Sequence, residues 1–147
     1  MTDIHAEALE ALTAKQGAER QLADMAMCPP WRHAAFAGLE AGLVVSPAVP
    51  LVLRFVILLA VLFGMGFIVR SDRRRLGVFI NGYRRGRTRM VALPLLLLLL
   101  GIYGLSVYLG LSRGLPLASV ALAGLAFVVA YQGSVIWQRV FVRELGA

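Results

Sequence analysis

The sequence predicts an all-α integral membrane protein: a four-helix bundle made of two transmembrane helical hairpins, preceded by an N-terminal cytoplasmic or interfacial helix. Two observations carry this expectation. The first is hydropathy: 59% of the 147 residues are hydrophobic and only 16% are charged, with a mean hydropathy of +0.76, too little polar surface for a soluble domain of this size. The second is where the charge lies. Over residues 70–90 eight arginines (Arg70, Arg73, Arg74, Arg75, Arg84, Arg85, Arg87, Arg89) face one acid, Asp72, so this stretch holds the whole net charge of +7. Elsewhere seven cations and seven acids cancel. A basic loop between long apolar runs is the mark of a cytoplasmic loop, because bilayer proteins keep arginine inside. On a soluble chain such charge would suggest nucleic-acid binding, and the hydropathy argues against that class.

Taken in order, residues 1–30 form an N-terminal soluble or interfacial helix, rich in Ala, Leu, Glu and Gln and free of proline before Pro29. Its apolar positions Ile4, Ala8, Ala11, Ala18, Leu22 and Met25 follow a 4-3 spacing that Lys15 interrupts. A seam so short and alanine-rich suits a surface helix, with a partner-binding coiled coil as the alternative. Pro29 and Pro30 end it. Mixed charge in this segment leaves no apolar core for a cleavable signal peptide. Trp31 and His33, flanking Arg32, are expected to anchor at the headgroup level, as is Trp137 beyond the last span.

The transmembrane domain, residues 31–147, divides at its turn signals. Spans are expected at about 34–46, 51–69, 91–111 and 117–137, separated by Ser46-Pro47-Ala48-Val49-Pro50, the arginine loop 70–90 and Ser112-Arg113-Gly114-Leu115-Pro116. The first segment is short, so it either crosses with snorkelling ends or is re-entrant. Four crossings place both termini and the loop on the cytoplasmic side of a bacterial inner (plasma) membrane.

Glu40 is the sharpest candidate for chemistry, since a carboxylate in an apolar helix faces the bundle interior or a hydrated path. Ala34, Gly38 and Gly42 form a small-residue ridge for helix packing, and at about 100° per residue Glu40 lies on the opposite side. Arg54 follows the first turn and is expected to pair with Glu40, forming an intramembrane charge pair; a protonated or proton-coupling Glu40 is the alternative. In the loop, Arg73, Arg74, Arg75, Arg84, Arg85, Arg87 and Arg89 are candidate contacts for anionic phospholipid or a partner. The apolar insert from Leu76 to Tyr83 between them could dip into the headgroup boundary. His5, Cys28 and His33 lack the number and spacing of a metal site, the single Cys28 has no intramolecular disulfide partner, and no nucleophile or nucleotide motif is present. No metal, cofactor or enzymatic activity is expected.

Pro29-Pro30-Trp31-Arg32-His33, followed by Leu76-Gly77-Val78-Phe79-Ile80-Asn81-Gly82 and the arginines at 84–89, resembles a loose group of small uncharacterised bacterial membrane proteins. That resemblance implies an inner-membrane location and no assigned activity. Four spans with a glutamate in the first also resemble the small multidrug resistance transporters, from which this chain departs in its long N-terminal helix and its strongly biased loop charge.

The expected function is therefore that of a non-enzymatic accessory or scaffold component. It would contact the lipid bilayer, anionic phospholipid, and a membrane-protein partner or a second copy through its cytoplasmic face, without nucleic acid. The alternative is a small proton-coupled transporter using Glu40.

Overall fold

The computed structural model describes residues 2–76 and 87–144, and the regular elements among them are all helical. They are α1 (Thr2–Ala26), α2 (Pro30–Val45), α3 (Leu51–Leu76), α4 (Arg87–Val107) and α5 (Pro116–Glu144). A 3-10 turn at Ser46–Ala48 extends α2, and a π-helical turn at Tyr108–Ser112 extends α4.

Proline and glycine set these boundaries. Pro29 is extended (φ −66°, ψ 149°) and Pro30 opens α2, where a missing N–H costs nothing because the first turn has no partner for it. The turn after α4 closes on Gly114, which takes a left-handed φ of 64°, so that the Leu115 N–H reaches back to the Leu109 carbonyl at 3.0 Å. Pro116 then starts α5. Pro94 lies inside α4 and deprives the Met90 carbonyl of its usual helical donor, a defect that membrane helices tolerate.

Three helical segments, Leu51–Arg74, Thr88–Ser112 and Pro116–Glu144, are long and apolar enough to cross a membrane. The sequence predicts four, and α2 is the difference: its 16 residues reach about 24 Å at about 1.5 Å per residue, against a hydrocarbon core of about 30 Å. The expected edges also move. α3 continues to Leu76 and α4 starts at Arg87, so most of the basic stretch at 70–90 stands on helix ends. Arginine is a good helix former, and no glycine or proline lies between Gly66 and Gly77. For the same reason α5 runs on to Glu144.

The core is built on α5. Its Ser119, Ala123, Ala126, Ala130 and Gly133 recur at 4-3-4-3 spacing and make one narrow strip of small side chains. Such a strip lets neighbouring backbones come close, the usual means of packing helices where lipid is as apolar as leucine. Ala126 and Ala130 are 0% exposed. α2 lies antiparallel along this strip through Ala37 and Val44, and α4 completes the cluster with Leu99 and Ile102. A Cβ at Gly133 would come within 2.5 Å of both Leu95 methyl carbons, so glycine is what seats Leu95 there.

Among the described residues a closed four-helix bundle is not formed. α3 packs on α2, the 3-10 turn and α1, and makes no contact with α4 or α5. It is keyed to α2 where Leu39 fills the notch at Gly64, a position at which a Cβ would lie 2.6 Å from the leucine. On its other side Leu51, Val52, Phe55, Leu59, Leu62, Phe63 and Phe67 are exposed. That continuous apolar surface suits hydrocarbon and not water. α1 rests lightly on α3 and α5.

Substituting Ala130→Leu should destabilise the helix packing by about 1–3 kcal/mol through overpacking. Leu97→Ala, at a side chain 69% exposed, should change stability by less than about 0.5 kcal/mol. Reversible unfolding in lipid micelles measures both.

Candidate functional site

The antiparallel run of helices gives the molecule two polar ends of different character. At the turn end, α2 finishes, α4 finishes and α5 begins, and each brings a buried serine: Ser46, Ser106 and Ser119. Ser106 Oγ donates to the Val44 carbonyl at 2.6 Å, and Ser119 Oγ donates to the Ser106 carbonyl at 3.2 Å. Ser46 Oγ caps the Leu43 carbonyl at 2.8 Å. These hydroxyls find their hydrogen-bond partners within the protein, as a dry environment requires of buried polar groups.

Arg54 serves the same end. Its Nε donates to the Ser46 carbonyl at 3.1 Å, and its Nη2 donates to those of Pro47 and Val49 at 3.2 and 3.3 Å. The expected Glu40–Arg54 pair is therefore not formed. Two features of the hairpin separate the groups. Gly42 of α2 faces Ile57 and Val61 of α3, a register that puts Glu40 roughly 10 Å further from the turn than Arg54 at about 1.5 Å per residue. Glu40 also lies two residues from Gly42, on the side of α2 turned away from α3.

Glu40 instead joins the strip of α2 formed by His33, Ala37 and Val44 at 4-3-4 spacing, the strip that faces α5. It is half-buried, and among the described residues its carboxyl group has no hydrogen bond or ion pair. The small-residue ridge behaves differently from expectation. Gly42 makes ordinary contact with α3, whereas Gly38 has nothing near it and Ala34 is half-buried. The close packing that the ridge was expected to provide comes from the alanines of α5.

At the other end, the first turn of α2 is tied to the last turns of α3 and α5. Arg32 Nε donates to Asp72 Oδ1 at 2.8 Å, and Nη2 donates to Oδ2 of the same carboxylate. Burial weakens the Arg32 charge, and the Asp72 hydrogen bonds, together with Cys28 and the Asp72 charge, more than offset this, leaving the guanidinium held above its ordinary pKa. His33 is buried and not at the lipid interface: Nδ1 lies 2.7 Å from Ser134 Oγ, with Tyr131 edge-on at 6.1 Å. Trp137 is also turned inward, stacked on Phe141 at 5.3 Å with its indole N–H buried and unbonded. Of the three expected anchors only Trp31 is exposed. His33 and Trp137 follow the packing faces of α2 and α5, which amphipathic composition alone does not reveal.

The same end gathers arginine. Arg70, Arg73 and Arg74 stand on the last turns of α3, Arg89 on the first turn of α4, and Arg139 and Arg143 on the last turns of α5; all six side chains are exposed. Arg75 and Arg87 belong to the ends of α3 and α4, while Arg84, Arg85 and residues 77–83 of the apolar insert lie outside the described residues. At the turn end the contrast is plain, because Arg54 is bonded to backbone and Arg113 Nε donates to Tyr108 Oη at 2.9 Å. Among the described residues no three His, Cys, Asp or Glu side chains come together as a metal site.

Sequence reasoning missed the tie between Arg32 and Asp72. The signal was Asp72 itself, the one acid among eight arginines. The serine bonds had no such signal, since serine is unremarkable until its helix face is known.

Asp72→Asn should weaken the anchoring of α3 to α2 and cost about 1.5–3 kcal/mol, the range for charge-assisted hydrogen bonds. Arg32→Gln should cost a similar amount, and the double variant less than the sum. Ser106→Ala should cost about 1 kcal/mol. Unfolding of the four proteins in lipid micelles provides the comparison.

Compared with known protein families, with curated proteins and with solved structures, the chain matches none.

Proposed function

We propose that this chain is a non-enzymatic, multi-pass inner-membrane component, an accessory or scaffold subunit that meets anionic lipid and a membrane partner through its arginine end. One observation supports this best: exposed arginines gather where α3, α4 and α5 meet one surface, whereas the turn end carries two, Arg54 bonded to backbone carbonyls and Arg113 to Tyr108. By the positive-inside rule the arginine end is cytoplasmic, which puts α1 and both termini on that side. Each basic side chain near an anionic surface contributes about 1 kcal/mol. The exposed face of α3 is then lipid-facing or covered by the partner.

Replacing Arg73, Arg74 and Arg89 together with Gln should weaken association with anionic nanodiscs by at least tenfold at low salt, and leave behaviour in zwitterionic nanodiscs unchanged. Crosslinking in native membranes followed by native mass spectrometry should recover a partner protein or a second copy. Recovery of the monomer alone, with no dependence on lipid charge, would overturn the proposal.

A second reading rests on Glu40, whose carboxyl group sits on the core-facing strip of α2 without a partner. Such a group is suited to proton coupling in a small transporter. Glu40→Gln should then abolish proton-driven uptake in proteoliposomes, and unchanged proton flux in that variant excludes transport through Glu40.

A further inference from the structure

The proposal above rests on the arginine end lying at a membrane surface, and the far end of α5 makes a more specific statement about that surface. Met27, in the connection between α1 and α2, stands over α5 at Val135, Gln138, Arg139, Val142 and Arg143, and these six residues line an open groove of about 320 Å³. Its walls are of two kinds. Met27, Val135 and Val142 are apolar. Arg139 and Arg143, one helical turn apart, present exposed guanidinium groups that pair with no acid among the described residues.

The height of the groove fits this division. The 29 residues of α5 extend about 44 Å at about 1.5 Å per residue, whereas the hydrocarbon layer is about 30 Å thick. With Pro116 at the opposite boundary, the helix leaves the hydrocarbon about 20 residues later, at the level of Val135. Arg139 and Arg143 then stand among the headgroups, with the apolar wall starting at the hydrocarbon edge just beneath them. A guanidinium pair binds phosphate oxygens in planar, charge-assisted geometry. A ligand matching both halves carries a phosphate and an acyl chain in one molecule.

We infer that this groove is a binding site for one anionic phospholipid, with Arg139 and Arg143 holding the headgroup phosphate and Met27, Val135 and Val142 contacting the upper acyl chain. The site is separate from the arginines of α3 and α4, which do not line this groove.

The test uses the full chain in nanodiscs of phosphatidylglycerol and phosphatidylcholine mixed equally, released into the gas phase for native mass spectrometry. Wild-type protein should retain one phosphatidylglycerol in preference to phosphatidylcholine by about tenfold. Arg139→Gln with Arg143→Gln should lose that preference, and so should Val142→Trp, which fills the groove and leaves both arginines in place. Arg73→Gln with Arg74→Gln should retain it. Glycerol 3-phosphate at millimolar concentration should not displace the lipid, because it lacks the chain; displacement by it would mean a free-phosphate site and overturn the assignment. If wild type and all variants retain phosphatidylglycerol equally, the groove is not the site while the broader anionic-surface reading stands. If wild type shows no preference for phosphatidylglycerol, that broader reading fails as well.

Discussion

The packing of α2 and α4 against the strip of small side chains on α5 is the constraint on which the rest of this structure depends. Between lipid-exposed helices no hydrophobic gain favours association, so stability comes from close van der Waals contact and a few buried hydrogen bonds. Ser119, Ala123, Ala126, Ala130 and Gly133 allow that closeness. They admit Val44 from one side and Leu95, Leu99 and Ile102 from the other. A helix as short as α2 would be a poor membrane span alone. Here it is enclosed by α5, α4 and α3, which supply the apolar surroundings that its own length does not.

Burying α2 in this way creates polar obligations at both of its ends. Its last carbonyls sit beside the ends of α4 and α5, and Ser106, Ser46 and Arg54 bond them or the turn that follows. Its first turn is fixed by Arg32 to Asp72 and by His33 to Ser134. The Arg32–Asp72 bond has a second effect, since it holds the end of α3, a helix with no contact to α4 or α5, against the body of the protein. The exposed arginines of α3, α4 and α5 lie together at this same end.

Much of this was legible in the sequence. Hydropathy located the long apolar helices, and the Pro and Gly signals at Pro29-Pro30, Ser46-Pro50 and Gly114-Pro116 marked where they stop. The charge bias located the arginine end. What the sequence did not disclose depends on which helix faces lie together. Ser106 and Ser119 come from separate helices, and only the register of α2, α4 and α5 brings their hydroxyls to the Val44 and Ser106 carbonyls. The same register turns His33 and Trp137 inward, although their composition suits an interface. Arg54 illustrates the limit of charge matching: Glu40 was the nearest acid in sequence, but three backbone carbonyls within reach were better placed than a carboxylate on the far side of α2. Helix length also misled, because arginine continues a helix as readily as it fills a loop.

The most direct measurement is proximity between the first turn of α2 and α5 in an intact membrane. With Cys28→Ser removing the native thiol, the pair His33→Cys and Ser134→Cys should crosslink rapidly through a short thiol-specific reagent, since the native side chains approach to 2.7 Å, and both sites should resist water-soluble maleimide. Absence of the crosslink, with both thiols freely labelled from the aqueous phase, would contradict an enclosed α2 seated on α5.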